Sequence, residues 1–160
     1  MNENLHLQRI STSWGDIVVQ LQDGKVVGCT LPYLADEPAV PFSVSNRNRN
    51  AVGKFISDTF HGRPASVPPI GELKGSAFQK KVWLALTKIT AGETKSYSTV
   101  AVAIGKPRAC RAVANACGRN PVPLFIPCHR VIGSDGKLHG FSAGTPWKRL
   151  LLSIETRCRI

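Results

Sequence analysis

The sequence is short of acids, of aromatic residues and of long apolar runs. Only ten Asp and Glu stand against twenty-one Lys and Arg in 160 residues, so the formal net charge is +11. Nowhere do apolar residues continue for the roughly twenty positions that a helix needs to cross a bilayer, and a membrane protein is not expected. The opening Met1-Asn2-Glu3-Asn4-Leu5-His6 lacks a basic stretch followed by an apolar one. No export signal is expected there, and the expected location is cytoplasmic, or nuclear in a eukaryote.

Paired cysteines are also missing. Cys29, Cys110, Cys117, Cys128 and Cys158 are odd in number and include no C-x-x-C, which argues against a disulfide framework. A structural zinc site takes about four Cys or His ligands, usually in close pairs. His6, His61, His129 and His139 are scattered, so no metal is expected.

What the chain does have is positive charge in one place. Up to Gly75 there are seven Lys/Arg and seven Asp/Glu, whereas residues 76–160 hold fourteen and three. The whole net charge belongs to the second part. This asymmetry points to a phosphate-rich partner engaged by that part, since neutralising phosphates and releasing counterions is the main sequence-independent source of DNA affinity.

Turn and cap signals divide the chain in the same place. Gly15 to Leu31 reads as a hairpin around an Asp23-Gly24 turn. Val52, Phe55, Ile56 and Phe60 then recur at helical spacing, with Gly62 placed to end the helix. Three prolines and two glycines in residues 63–75 set the boundary between a small α/β domain over residues 1–75 and a mostly helical domain over 76–160. In the second domain Ser76-Ala77-Phe78-Gln79 fits a capping box, opening a helix that stops near Gly92. Two short helices, Ser98–Ile104 and Arg108–Gly118, joined by Gly105-Lys106-Pro107, have the outline of a helix-turn-helix. A last helix begins at Thr145-Pro146 with Trp147, Leu150, Leu151 and Ile154 as its apolar stripe. Glu155 either shares that stripe's buried side or stands at its exposed margin, and spacing alone does not choose.

The chemistry concentrates in Asn120-Pro121-Val122-Pro123-Leu124-Phe125-Ile126-Pro127-Cys128-His129-Arg130-Val131. An apolar run ends at a proline and delivers a thiol followed by an imidazole and a guanidinium. Nearby cations or an imidazole base favour thiolate, the nucleophilic form. With Glu155 to hold an imidazole N–H, the set has the nucleophile, base and orienter of a Cys-His-acid relay. If the segment is extended, neighbouring side chains point opposite ways and a water would bridge them. The remaining cysteines read as structural.

Pro127-Cys128-His129-Arg130-Val131, preceded by Asn120-Pro121-Val122-Pro123 and a basic helix, resembles the active-site signature of O6-alkylguanine-DNA alkyltransferases. The resemblance runs from about Ser76 to Glu155, and the first 75 residues are compatible with the family's ribonuclease-H-like α/β domain. It implies irreversible, single-turnover transfer of an O6-alkyl group, such as methyl, from guanine in double-stranded DNA to Cys128, with no cofactor. O4-methylthymine is a further substrate whose use the sequence leaves open. It also implies roles: His129 takes the Cys128 proton through water, Glu155 fixes the imidazole, and Asn120 supports the active-site turn. Tyr97 assists departure of a flipped guanine, and Arg111 fills the space the base vacates. Arg108, Ala112, Ser98 and Arg119 join Arg111 on the DNA side. Pro123, Val131, Phe141 and the Ser142-Ala143-Gly144 loop line the alkyl and base pocket.

The family presents its helix-turn-helix to the minor groove, and Ala109, Ala112, Ala116 and Cys117 are small enough for that approach. A monomer is expected, with cooperative binding along DNA left open. Phe141 stands where the family often has tyrosine, the zinc ligands of animal members have no counterpart, and the tail Thr156-Arg157-Cys158-Arg159-Ile160 is short and basic. Non-catalytic lesion-binding relatives usually carry tryptophan at the position of Cys128. A thiol hydrolase would leave the basic helices unused, and a plain helix-turn-helix regulator would leave Cys128, His129 and Arg130 unused.

Overall fold

The computed structural model describes residues 4–45 and 50–157. It is a mixed α/β fold with one small antiparallel sheet and five α-helices among the described residues. The sheet has the order β1-β2-β3, with β1 at Leu5–Thr12, β2 at Gly15–Gln22 and β3 at Lys25–Thr30. Asp23 and Gly24 both take positive φ, 51° and 77°, the geometry that lets a two-residue turn follow the twist of its strands. Ile17, Val19 and Leu21 alternate into the core from β2.

The strand β1 was not anticipated. Its Leu5 and Leu7 are exposed and only Ile10 is fully buried, so the strand carries almost no inward apolar alternation to read.

Helix α1, Ala51–Phe60, buries Val52, Phe55, Ile56 and Phe60 in the same apolar core as the strands. Asn50 caps its start by accepting from Gly53 N. At its end Gly62 takes φ 69°, while Arg63 N donates to Asp58 O and Gly62 N to Thr59 O, closing a Schellman motif. The proline-rich stretch that follows is not a loose spacer. Val26 N donates to Pro69 O at 2.9 Å and Gly71 N to Val26 O at 2.8 Å, so Ile70 pairs beside β3.

Helix α2, Ala77–Leu86, opens on the expected capping box: Ser76 Oγ accepts from Gln79 N, and Gln79 Oε1 from Ser76 N. It ends at Leu86 rather than near Gly92, because Lys88 N and Ile89 N turn back onto Ala85 O and Leu86 O. The short strand β4, Lys95–Ser96, leads into α3, Tyr97–Ala103, capped by Ser96. Gly105, at φ 75°, closes a second Schellman motif, with Lys106 N on Ala101 O and Gly105 N on Val102 O. Helix α4 follows at Cys110–Gly118. Strand β5, Val131–Ile132, pairs in parallel with β4, and α5, Thr145–Arg157, ends the described chain.

Contacts cross between the two parts of the sequence. The rings of Phe55 and Phe125 stack at 4.7 Å, Trp147 Nε1 donates to Pro32 O at 2.7 Å, and Cys29 N donates to Pro121 O at 2.9 Å. These bonds seat the sheet and α1 against the segment that ends in Cys128. None of the described helices is long and apolar enough to cross a membrane.

Candidate active site around Cys128

Asn120 organises the turn that precedes the thiol. Its Oδ1 accepts from Val122 N at 3.0 Å, and its Nδ2 lies 2.9 Å from Ile126 O and 3.1 Å from Cys128 Sγ. Leu124 sits inside this turn at φ 76°, a conformation that costs a bulky residue on the order of 1–3 kcal/mol. The stacked Phe125 and the three bonds of Asn120 offset that strain.

Cys128, His129 and Arg130 form a single 3-10 turn, not the extended segment expected from the sequence. Pro127 sits at ψ 63°, and Arg130 N returns to Pro127 O at 3.1 Å. Neighbouring side chains in this turn therefore do not alternate between opposite faces.

The imidazole of His129 is 1% exposed. Its Nε2 lies 2.8 Å from Glu155 Oε1, while Nδ1 is buried and meets no hydrogen-bond partner among the described residues. Glu155 is on the buried side of α5, at 8% exposure. With the carboxylate as acceptor, Nε2 carries the proton and Nδ1 presents a lone pair. Burial opposes ionisation of Glu155, but hydrogen bonds from His129 and Arg130 outweigh it and hold the carboxyl at about 2. Burial lowers the basicity of His129, against the pull of Glu155, so the ring is neutral.

Arg130 is not the cation that acts on the thiol. Its guanidinium is committed to Glu155, with Nη2 2.7 Å from Oε1, and to Ile89 O, 2.6 Å from Nη1. The cation that favours Cys128 thiolate is Lys148, which the sequence reading missed. Lys148 is 1% exposed, and its Nζ donates to His139 O at 2.7 Å and to the Tyr97 hydroxyl at 3.2 Å. The signal was present: Lys148 stands seven residues before Glu155 and three before Leu151, on the same helical face.

Burial pushes the Cys128 thiol up to about 11, although the Asn120 hydrogen bond and the Lys148 charge both work downward. At neutral pH Cys128 is a protonated thiol. Burial similarly raises Cys29 and Cys117 to about 12, and Tyr97 to about 12. Cys110 is half-buried with its Sγ 3.7 Å from Ser98 Oγ, and Cys158 lies outside the described residues.

The remaining predicted residues fall into two groups. Pro123, Val131 and Phe141 are buried near the thiol segment, with the Phe141 ring edge-on to His129 at 6.4 Å, while Ser142 is exposed and Gly144 takes φ 98°. Ser98, Arg108, Arg111, Ala112 and Arg119 are all exposed, and none of the three arginines is ion-paired among the described residues. Ala116 and Cys117 do not belong with them. Each is 1% exposed and turned to the core, where Ala116 O accepts from Trp83 Nε1 at 2.8 Å, so of the four small residues only Ala112 and the half-buried Ala109 reach the surface.

Comparison with known proteins follows the same residues. The family model described as "6-O-methylguanine DNA methyltransferase, DNA binding domain" matches residues 77–157. A "Methylated-DNA--protein-cysteine methyltransferase" of Methanosarcina barkeri is 57% identical over 82 residues, covering 51% of this chain and 52% of the relative. One of the same name from Mycolicibacterium paratuberculosis is 51% identical over 86 residues, covering 54% and 52%. The matched part spans about half the length of these curated relatives. Among solved structures, "Mycobacterium tuberculosis OGT in complex with DNA" is 32% identical with a TM-score of 0.81, covering 96% of this chain and 94% of that one.

Proposed function

The chain belongs to the 6-O-methylguanine DNA methyltransferase family, and from that premise we propose that it repairs DNA by direct reversal, moving an O6-alkyl group from guanine onto Cys128. The observation that carries this reading is the Asn120 amide 3.1 Å from Cys128 Sγ, beside a neutral imidazole whose Nε2 is tied to Glu155 and whose Nδ1 has no hydrogen-bond partner among the described residues.

In this mechanism the thiol proton passes through water to His129 Nδ1 as Sγ attacks the alkyl carbon. The bond from that carbon to O6 breaks, the guanine oxygen keeps the electron pair, and a thioether forms. Asn120 Nδ2 and the Lys148 charge favour the sulfur anion as it develops. Tyr97, whose hydroxyl accepts from Lys148 and donates to His139 O, would turn that proton toward the leaving guanine. A thioether is a poor leaving group, so each molecule reacts once, and no cofactor enters the balance.

The base must leave the duplex to meet a thiol that is 2% exposed. Extrusion costs a few kcal/mol, which phosphate contacts from the basic part offset. We read α3, its glycine turn and α4 as a helix-turn-helix whose exposed Arg108, Arg111 and Arg119 engage the minor groove, with Arg111 inserted in the stack. The sheet and α1 correspond in this reading to a ribonuclease-H-like domain ending near Gly75. The protein would act as a monomer in the cytoplasm, or in the nucleus of a eukaryote.

The test is the mass of the intact protein after exposure to DNA containing O6-methylguanine. One added methyl group on the peptide containing Cys128, stopping at one per molecule and lost in Cys128→Ser, is the expected result. Repeated turnover, or methylation of Cys110 or Cys117 instead, would overturn the assignment.

A further inference from the structure

The mechanism above uses His129 and Glu155 and leaves Arg130 without a task, yet Arg130 is the group most tightly bound to Glu155. Arg130 Nε lies 3.1 Å from Oε1 and 3.0 Å from Oε2, and Nη2 lies 2.7 Å from Oε1. Its Nη1 reaches Ile89 O at 2.6 Å, in the connection between α2 and β4. The 3-10 turn, α5 and this connection thus meet at one guanidinium. Glu155 Oε1 is shared: the same oxygen takes His129 Nε2 at 2.8 Å.

We propose that Arg130 is a positioning residue for alkyl transfer: by forking onto Glu155 it holds His129 as a neutral imidazole, with Nε2–H on the carboxylate and Nδ1 free to accept the Cys128 proton. The proposal rests on the reading of Cys128 as the acceptor. Left with the imidazole and the Gly92 N–H, 3.4 Å from Oε2, as its donors, the buried carboxylate would draw a proton onto the ring, and an imidazolium has no lone pair left to take the thiol proton. A permanently charged fork compensates the carboxylate first, and the imidazole then needs to give only one neutral N–H. The fork also fixes the plane of the carboxylate, and with it the tautomer of His129.

The charged groups that act on His129 are Glu155 and Lys148 of α5 and Arg130 of its own turn, and Phe141 meets its ring without charge. Of these only Glu155 favours the imidazolium, while burial, Arg130 and Lys148 oppose it. Removing Arg130 therefore leaves Glu155 less opposed. The proton step balances only from the neutral ring: S–H is lost at Cys128, and Nδ1–H is gained at His129.

The experiment has two arms on the full chain, with wild type, Arg130→Met and Arg130→Lys compared in both. In the first, the His129 ring is followed by NMR against pH in unreacted protein, which requires no transfer. In the second, the rate of benzyl transfer from free O6-benzylguanine is measured from pH 5 to 9.

Arg130→Met should raise the pH at which His129 protonates by about one unit or more. It should slow transfer roughly tenfold at the acid end, where the ring is then charged, and leave the alkaline rate within a few-fold of wild type. Arg130→Lys keeps the charge without the fork and should shift the same way by less. A His129 titration unmoved in either variant overturns the proposal, as does a rate loss equal at every pH. If Arg130→Met does not fold, the lysine variant decides by the same criteria. Wild-type protein that takes neither the benzyl group nor a methyl group from O6-methylguanine DNA would instead refute the transfer reading, with the NMR arm still deciding the role of Arg130.

Discussion

The Nδ2 of Asn120 lies 3.1 Å from Cys128 Sγ and 2.9 Å from Ile126 O, so one amide both closes the turn and touches the sulfur that the turn delivers. A sulfur buried to 2% exposure has few ways to bear charge, and this N–H is one of them. Asn120→Ala removes that donor and strands Val122 N in the interior, while Ile126 O keeps the Cys128 N–H at 2.8 Å. Leaving that buried N–H unsatisfied should cost about 1–3 kcal/mol, and loss of the amide should slow transfer at least tenfold. Urea unfolding and the rate with free O6-benzylguanine measure the two effects. A stable variant reacting at the wild-type rate would show that the contact with Sγ has no chemical weight.

Stability should fall on both sides of neutrality, for different groups. Glu155 titrates at about 2 in the folded protein against 4.5 ordinarily, so the folded state binds fewer protons and is favoured above pH 4.5. That contribution, on the order of 3 kcal/mol, is lost as pH falls from 4.5 toward 2. The raised thiols act in the opposite sense. Cys128, at about 11, and Cys29 and Cys117, at about 12, stay protonated in the fold, whereas an unfolded chain ionises them near 9. Stability should therefore decline as pH rises above 9. Urea midpoints at pH 3, 7 and 10 test both limbs, and Glu155→Gln should flatten the acid one.

Arg111→Ala should separate extrusion from chemistry. The side chain is exposed on α4, whereas Cys128 is buried. Repair of O6-methylguanine in duplex DNA should drop by more than tenfold, an expectation set by the few kcal/mol that extrusion costs, while reaction with free O6-benzylguanine stays near wild type. Equal losses in the two assays would remove Arg111 from extrusion.

Local features were readable from the chain because neighbours decide them. The Asp23-Gly24 hairpin, the Ser76 capping box and the glycine that ends α1 each depend on a few adjacent residues. What could not be read depends on distant partners or on missing burial. Strand β1 shows no inward alternation because Leu5 and Leu7 face out. The 3-10 turn at Cys128 is imposed by Asn120 and Pro127 together, whereas the proline alone suggests an extended segment. The face of α5 that drew notice to Glu155 also carries Lys148, but whether a lysine is exposed or buried is settled by the carbonyl and hydroxyl it meets. Those belong to His139 and Tyr97, the latter 51 residues away.

That buried lysine sets the last prediction. Burial already weakens the hold of Lys148 on its proton, and its partners are a carbonyl and a hydroxyl. Replacing it with methionine removes the cost of a desolvated cation and fills much the same volume, so the fold should lose little and could gain stability. His139 O still accepts from the Tyr97 hydroxyl, at 3.2 Å, which limits the damage further. Function should respond differently. Without the ammonium, the Cys128 thiolate loses a cation that favours it, and Tyr97 loses the donor that orients its hydroxyl. Lys148→Met should therefore transfer the benzyl group at least tenfold more slowly, as expected for removal of a charge-stabilising group, with a urea midpoint close to wild type. A large loss of stability would mean that Lys148 serves the fold more than the thiol, and an unchanged rate would leave Asn120 and His129 to activate Cys128 without it.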